Sequence, residues 1–191
     1  MVPVHPDIRP ATPADLPEIL RLVHELAAYE REPDAVEATE ADFAAALFPA
    51  ERRPEVRGTS LEGGDPTAFC HVVEADEGNG TPAGGRRVVG MALWFLTFST
   101  WTGQQGIHLE DLYVEPEHRG SGLGKALLVT LAQIATERGY RRLEWTVLRW
   151  NEPAIAFYES LAALPQVEWE TYRLDGDALT AVGAPTSAVA R

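Results

Sequence analysis

The sequence predicts an α/β or α+β fold, in which helices flank a mixed, mostly antiparallel sheet of about six or seven strands. Two helical patterns come first, short strand patterns separated by turns follow, and two strand–helix units come last. Because a helical crossover returns the chain parallel to the strand it left, these units predict a parallel pair within the sheet. The length of 191 residues fits a single domain over 1–191, with its core over about 7–175.

The helices are predicted from apolar residues that recur every three or four positions. Thr12 is typical of a helix cap, and the apolar spacing continues from it to Tyr29. Thr39 caps a second, short helix. A third helix follows a glycine-rich turn and ends at Gly139, and a fourth opens at Pro153.

The strands are predicted from short runs that are rich in β-branched and aromatic residues. Their ranges are 8–10, 69–75, 88–97, 108–114, 143–148 and 167–174. The glycine-rich segment 77–85 predicts a mobile hairpin connection, and segment 57–66 has a similar composition. The tail 178–191 consists mostly of small residues and is expected to fray.

The charge of the chain limits the partners it can have. It carries 29 acidic and 16 basic residues, a formal net charge of −13, and fifteen of the basic residues are arginine, which favours a bacterial source. Such a field repels nucleic acids and anionic membranes and favours cationic partners. The apolar stretch 88–96 is far shorter than the roughly 18 residues of a membrane span, and no signal peptide pattern is present. The sequence therefore predicts a soluble, cytoplasmic protein that binds neither nucleic acid nor membrane.

Neither the cysteine nor the histidines predict a reactive or metal-binding site. Cys70 is the single cysteine, and its apolar neighbours favour a packed strand thiol. No metal is expected, because the histidines are not spaced as ligands. They are His5, His24, His71, His108 and His118.

The segment from Arg119 to Lys125 predicts an anion site. It contains three glycines and lies between a predicted strand and a helix, where free backbone N–H groups and the helix dipole favour a phosphate. A P-loop would need glycine at Arg119 and Ser or Thr at Ala126, and a dinucleotide fingerprint would need glycine at Lys125. The remaining pattern, R-x-x-G-x-G, fits a pyrophosphate supported by Arg119 and Lys125.

A second strand-to-helix turn, from Trp150 to Tyr158, contains Asn151 and a tyrosine one turn into its helix. With both turns, the chain resembles the GNAT acetyltransferase superfamily and, within it, the spermidine/spermine (diamine) N-acetyltransferase group. The resemblance runs from about Ile8 to Asp175. It rests on segments 8–12, 26–30, 109–114, 119–125 and 150–158 and on the region of Trp169. It implies a V-shaped split between two parallel central strands.

The resemblance implies acetyl-coenzyme A as co-substrate, bound in that split. Backbone groups of Leu112, Tyr113 and Val114 would bind its acetyl and pantetheine part. The pyrophosphate would be bound by Arg119, Gly120, Ser121, Gly122, Leu123, Gly124 and Lys125. Asn151, Pro153, Ala154 and Tyr158 would line the other side of the pantetheine.

Acetyl transfer to an amine needs a base, because an alkyl ammonium with a pKa near 10.4 is mostly protonated at pH 7. The resemblance assigns this role to Glu110, which needs a raised pKa or an intervening water to fulfil it. Glu110 and Asp111 are neighbours on a strand and are expected to face opposite sides. Tyr158 is implied as the acid that protonates the thiolate, although its place on an apolar stripe also fits a purely structural role.

The implied substrate is a small cationic amine, a polyamine, diamine or thialysine-like amino acid, acetylated by direct transfer. Its implied contacts are Tyr29, Glu30, Trp101, Glu110, Asp111 and Glu168. Ser99 stands where eukaryotic members carry Asp, which disfavours long polyamines, and Ala162 replaces a glycine. The resemblance also implies a homodimer. The alternatives are a non-catalytic acyl-coenzyme A-sensing module and an enzyme that acetylates a protein or an aminoglycoside.

Overall fold

The computed structural model describes residues 5–49, 64–76 and 85–184. The chain divides into two compact units, Met1–Thr146 and Val147–Arg191. The predicted loops 57–66 and 77–85 fall largely outside the described residues, as do the last seven residues of the predicted tail.

The first unit contains the sheet and three α-helices. In chain order its elements are β1 (Ile8–Pro10), α1 (Leu16–Tyr29), α2 (Glu40–Leu47), β2 (Phe69–Asp76), β3 (Arg86–Ser99), β4 (Gln104–Val114), α3 (Leu123–Glu137) and β5 (Leu143–Trp145). One turn of 3-10 helix precedes α1 and another follows β4. Within the described residues, no helix is both long and apolar enough to cross a membrane.

The sheet order is β1-β2-β3-β4-β5. The first three pairs of strands are antiparallel, and β4 and β5 are parallel, which confirms the predicted mixed, mostly antiparallel sheet. The described residues form five strands rather than six or seven. The prediction of a strand over 167–174 is wrong: this segment is irregular. Its apolar pattern suits a strand, but a strand also needs a neighbour for its backbone N–H and C=O groups.

Helices cover both faces of the sheet. Consecutive residues Val72 and Val73 point to opposite faces, and both are fully buried. Val72 belongs to the core formed with Ile19 and Leu22 of α1. Helix α3 packs against β2, β3 and β4 and buries Leu127 completely. Burying a Leu or Ile side chain stabilises the fold by about 1.5–3 kcal/mol, so this packing anchors α1 and α3 on the sheet.

The ends of the predicted helices agree well with the structure. Thr39 caps α2: its Oγ accepts from the Asp42 N–H, and the Asp42 carboxylate accepts from the Thr39 N–H at 2.8 Å. Gly139 follows α3 with φ of 70°, a backbone conformation that favours glycine.

The second unit contains α4 (Glu152–Glu159) and α5 (Gly176–Gly183). Asn151 caps α4, because its Oδ1 accepts a hydrogen bond from the Ala154 N–H at 3.4 Å. Residues 178–183 of the predicted tail belong to α5. The sequence pattern did not predict this helix, although alanine and leucine, which occur in this stretch, are strong helix formers.

Candidate active site

The segment between β4 and α3 contains a sharp glycine turn. Gly120 and Gly122 have φ of 77° and 91°, values that side-chain-bearing residues rarely adopt. Gly122 is the N-cap of α3, and the first hydrogen bond of the helix runs from the Ala126 N–H to the Gly122 carbonyl at 2.9 Å. The N–H groups before Ala126 are therefore not used within the helix, and with the exposed Lys125 nearby they are available to an anion.

The start of this segment is fixed by a buried ion pair network. Glu115, only 3% exposed, accepts hydrogen bonds from Arg87 (2.6 Å) and from Arg21 of α1 (2.8 Å). Burial alone would raise the pKa of Glu115, but the two guanidinium groups outweigh it and lower that pKa. Sequence reasoning missed this network, because the three residues are far apart in the chain and no local pattern connects them.

Arg119 fixes the segment just before the glycines. Its Nε donates to the Val114 carbonyl at 2.9 Å. Its guanidinium carbon lies 4.8 Å from the centre of the Tyr29 ring and 5.3 Å from that of the Tyr113 ring. Two tyrosines and one backbone carbonyl therefore hold Arg119 between the end of α1 and the end of β4.

The two parallel strands separate where the resemblance implies the split. Strand β5 pairs with β4 only over Ile107–Leu109. The continuation of β4 through Leu112, Tyr113 and Val114 pairs with β3 alone among the described residues. Along the other edge of this stretch, the backbone N–H and C=O groups have no strand partner among the described residues. A ligand with peptide-like amide groups could hydrogen-bond to them.

A β-bulge at Glu110 changes the direction of the side chains around it. Leu93 pairs with Asp111 and the next residue, Trp94, pairs with Leu109, so Glu110 is the extra residue. His108 pairs with Phe95, two positions after Leu93, and therefore shares a face with Asp111 although the two are three positions apart. The expected simple alternation of Glu110 and Asp111 does not hold across this bulge.

Asp111 is a buried carboxylate whose charge is disfavoured further by two other carboxylates of the first unit. The Asp111 pKa is raised from 3.8 to about 6, by burial first and then by the negative charges of Glu110 and Glu30. Burial also raises the pKa of Glu30 at the end of α1. The Glu110 side chain is 54% exposed, and its Oε2 lies 3.8 Å from the His108 Nε2. A positive charge beside Asp111 would offset its burial and the repulsion from Glu110 and Glu30, so this corner of the unit is suited to a cation.

We expect Asp111→Asn to stabilise the protein at pH 7.5. Between pH 4 and 6 the unfolded chain has lost the Asp111 proton while the folded chain retains it, so stability falls as the pH rises. The shift from 3.8 to about 6 corresponds to about 3 kcal/mol above pH 6. Urea unfolding at pH 7.5 and pH 4 measures this, and the gain should disappear at the lower pH. A variant that is less stable than the wild type at pH 7.5 would contradict it.

The remaining predicted site residues lie apart from this corner or in the second unit. Trp101 is 88% exposed in the turn between β3 and β4. Along β4, Gln104 and Glu110 are about 20 Å apart at the usual rise per residue, so within the first unit Trp101 does not join the carboxylates. In the second unit, Glu168 is exposed, and Tyr158 is half-buried with its ring centre 5.2 Å from that of Phe157.

The described residues contain no cluster of three His, Cys, Asp or Glu that could hold a metal ion. Burial is the main cause that raises the pKa of the Cys70 thiol to about 12, so it is not a thiolate at neutral pH. Burial also lowers the pKa of His71 to about 4, and its Nδ1 accepts a hydrogen bond from the Trp94 indole at 3.2 Å. Cys70 is part of the core, and His71 lies half-buried beside it.

The chain matches the model of the Acetyltransferase (GNAT) family over residues 22–163 and therefore belongs to this family. It is 35% identical over 175 residues to thialysine N-epsilon-acetyltransferase of Sus scrofa, covering 90% of this chain and 94% of the relative. It is 33% identical over 175 residues to the spermidine/spermine N(1)-acetyltransferase-like protein 1 of Homo sapiens, covering 90% of this chain and 23% of that protein.

A solved structure supports the fold. The integron cassette protein from the mobile metagenome of V. cholerae has a TM-score of 0.66 and 24% identity, and covers 92% of this chain and 95% of its own. The predicted resemblance to the diamine N-acetyltransferase subgroup and the predicted acetyltransferase activity are confirmed by the family and its relatives.

Proposed function

We propose that the protein transfers an acetyl group from acetyl-coenzyme A to a primary amine of a small cationic substrate. The observation that carries this proposal is the pair Glu110 and Asp111 on the strand that leads into the glycine turn, together with Glu30 at the end of α1. One strand thus connects a group of carboxylates, which attracts a cation, to an anion site at the start of α3. Those are the two binding sites that a reaction between an ammonium ion and a pyrophosphate-bearing thioester requires.

On the donor side, the proposal assigns the pyrophosphate to the glycine turn, to the first N–H groups of α3 and to Lys125. The unpaired edge of β4 would accept the pantetheine amides as a short added strand. The same edge would orient the thioester. Asn151 and Ala154 are assigned to the pantetheine on the resemblance alone. Since the Asn151 Oδ1 accepts from the Ala154 N–H, its side chain also supports the start of α4.

On the acceptor side, we assign Asp111 to hold the ammonium group and Glu110 to accept its proton. Burial first, and then the charges of Glu110 and Glu30, disfavour the Asp111 carboxylate, and a cation bound beside it would offset both effects. Glu110 reaches solvent and can pass the proton on. The neutral amine then attacks the thioester carbonyl, the new N–C bond forms as the C–S bond breaks, and Tyr158 protonates the departing thiolate. The role of Tyr158 rests on the resemblance.

The proposed substrate class is a diamine or an amino acid with a side-chain amine. The name of the pig relative, thialysine N-epsilon-acetyltransferase, describes such an amine. Three carboxylates in one corner suit one or two ammonium groups. Ser99, in place of the acidic residue of eukaryotic members, leaves no charge there for the far end of a long polyamine.

The proposal is tested by measuring the release of free coenzyme A thiol across a panel of amines. The panel contains thialysine, lysine, ornithine, putrescine, spermidine, an aminoglycoside and a lysine-containing peptide. We expect turnover with the small diamines or amino acids and intersecting initial-velocity lines, which indicate a ternary complex. No turnover with any amine would favour the acyl-coenzyme A-sensing module, and selective turnover of the peptide or aminoglycoside would favour those substrates. Parallel lines would contradict direct transfer.

We also propose that the protein is a homodimer. The resemblance implies it, and the second unit supports it with exposed apolar side chains that a partner could cover. They include Leu164 (79% exposed), Val167 (82%), Trp169 (71%) and Tyr172 (91%). Light scattering after size exclusion should give twice the 20.9 kDa of one chain at micromolar concentration. A particle of monomer mass would contradict this.

A further inference from the structure

We propose that Tyr29 positions the donor-binding segment by holding Arg119, in addition to any contact with the amine. The inference rests on the proposed function, because it assumes that the glycine turn binds coenzyme A. The resemblance assigns Tyr29 to the amine alone. In the structure, the Tyr29 ring contacts Arg119, the residue that directly precedes the glycines.

The contact has the geometry of a cation–π interaction on two sides. The guanidinium of Arg119 lies within 4.8 Å of the Tyr29 ring centre and 5.3 Å of the Tyr113 ring centre, both inside the 6 Å range of such contacts. Tyr113 is only 5% exposed and belongs to the core, so it provides a fixed surface. Tyr29 packs on the same core from the last turn of α1. A planar guanidinium stacks in this way, whereas an ammonium does not.

Helix α1 holds the segment at both ends. Arg21 binds the buried Glu115 where the segment begins, and Tyr29 contacts Arg119 just before the glycines. Arg21 and Tyr29 are separated by about 12 Å along the helix axis. The same helix therefore sets the position of the first and the last residue of the run 115–119. The position of Arg119, from which the glycine turn begins, is therefore fixed by α1.

This arrangement determines how much the turn must be ordered when coenzyme A binds. Two glycines with positive φ are free to adopt many conformations in an unconstrained chain, and ordering them costs affinity. If the stack on Tyr29 holds Arg119, the start of α3 is already oriented toward the ligand. Replacing the Tyr29 ring with an aliphatic side chain should therefore weaken coenzyme A binding even when no amine is present.

The test is the dissociation constant of coenzyme A, measured by calorimetry without amine. We expect Tyr29→Leu to raise this constant about three- to tenfold, the size of one partly exposed cation–π contact. Tyr29→Phe keeps the ring and should retain the wild-type constant. In the Arg119→Ala background, Tyr29→Leu should have no further effect, because the cationic partner of the ring is already absent. Val23→Ala, which removes core packing from α1 without touching Arg119, is the control for general destabilisation.

Three results would overturn the inference. The first is a wild-type constant in Tyr29→Leu. The second is an equal loss of affinity in Val23→Ala, which would make the effect one of general stability. The third is an equal loss in Tyr29→Phe, which would assign the effect to the hydroxyl. If the wild-type protein itself did not bind coenzyme A, the proposed function would fail together with the inference. If the wild type binds coenzyme A and Tyr29→Leu has the same dissociation constant, only the inference is contradicted and the proposed function stands.

Discussion

Replacing Glu110 with Gln is expected to lower kcat by a factor of about 10² to 10⁴, the usual contribution of a general base. Gln has nearly the same shape but cannot accept the ammonium proton. The substrate should still bind, because Asp111 and Glu30 keep their charges, so KM should change little. Steady-state kinetics with the preferred amine of the panel measures both constants. A loss confined to KM would contradict a role for Glu110 in the chemical step.

Asp111→Asn is the matched variant, since it removes the neighbouring carboxylate. If Asp111 holds the cation, this change should raise KM more than it lowers kcat. The pH profile separates the two residues further. Because the pKa of Asp111 is about 6, kcat/KM of the wild type should fall about tenfold per pH unit below pH 6. This fall should disappear in Asp111→Asn and move to lower pH in Glu110→Gln, where one charge that raises the Asp111 pKa is gone.

The parts of the site that depend on local chain geometry could be predicted from the sequence. A glycine turn followed by a helix is set by residues within about ten positions of one another, and Gly120 and Gly122 have the positive φ that their residue type predicts. The caps at Thr39 and Asn151 are local in the same sense. Local rules of this kind need no knowledge of the rest of the fold.

The parts that depend on distant contacts could not be predicted in this way. The bulge at Glu110 arises from the pairing of β4 with β3, and nothing in the sequence of β4 alone indicates it. The pKa of Asp111 is raised first by burial and then by the charges of Glu110 and of Glu30, which is eighty-one positions away in the chain. The same holds for the contact of Arg119 with Tyr29. Sequence patterns predict the residues of the candidate site, whereas packing determines their electrostatics.

The irregular segment 167–174 is a case in which a local sequence pattern predicts an element that the structure does not contain. Its alternation of apolar and polar residues is typical of a strand, and its composition is rich in aromatic and β-branched residues. Yet Trp169 and Tyr172 are exposed, and the segment has no place in the sheet of the first unit. Strand propensity measures the fit to a pleated, half-buried surface, so it predicts a strand only where such a surface is available.

Tyr158→Phe is expected to lower kcat by about 10² to 10⁴ with little loss of stability, if the phenol protonates the departing thiolate. The ring is half-buried beside Phe157, and Phe retains that packing while it removes the hydroxyl. The affinity for coenzyme A should change much less than kcat, because the proton is transferred only in the chemical step. Steady-state kinetics and thermal unfolding of the same preparation measure both effects.

Tyr140→Phe is the matched control for this prediction. Tyr140 is also partly buried, follows the end of α3 and has no assigned role in the site. The same loss of one hydroxyl should leave its kcat at the wild-type level. If Tyr158→Phe folded normally and turned over as fast as Tyr140→Phe, the Tyr158 hydroxyl would be structural, and the proton for the thiolate would have to come from solvent. If it lost stability in proportion to activity, the tyrosine would act through the packing of α4 rather than through its proton.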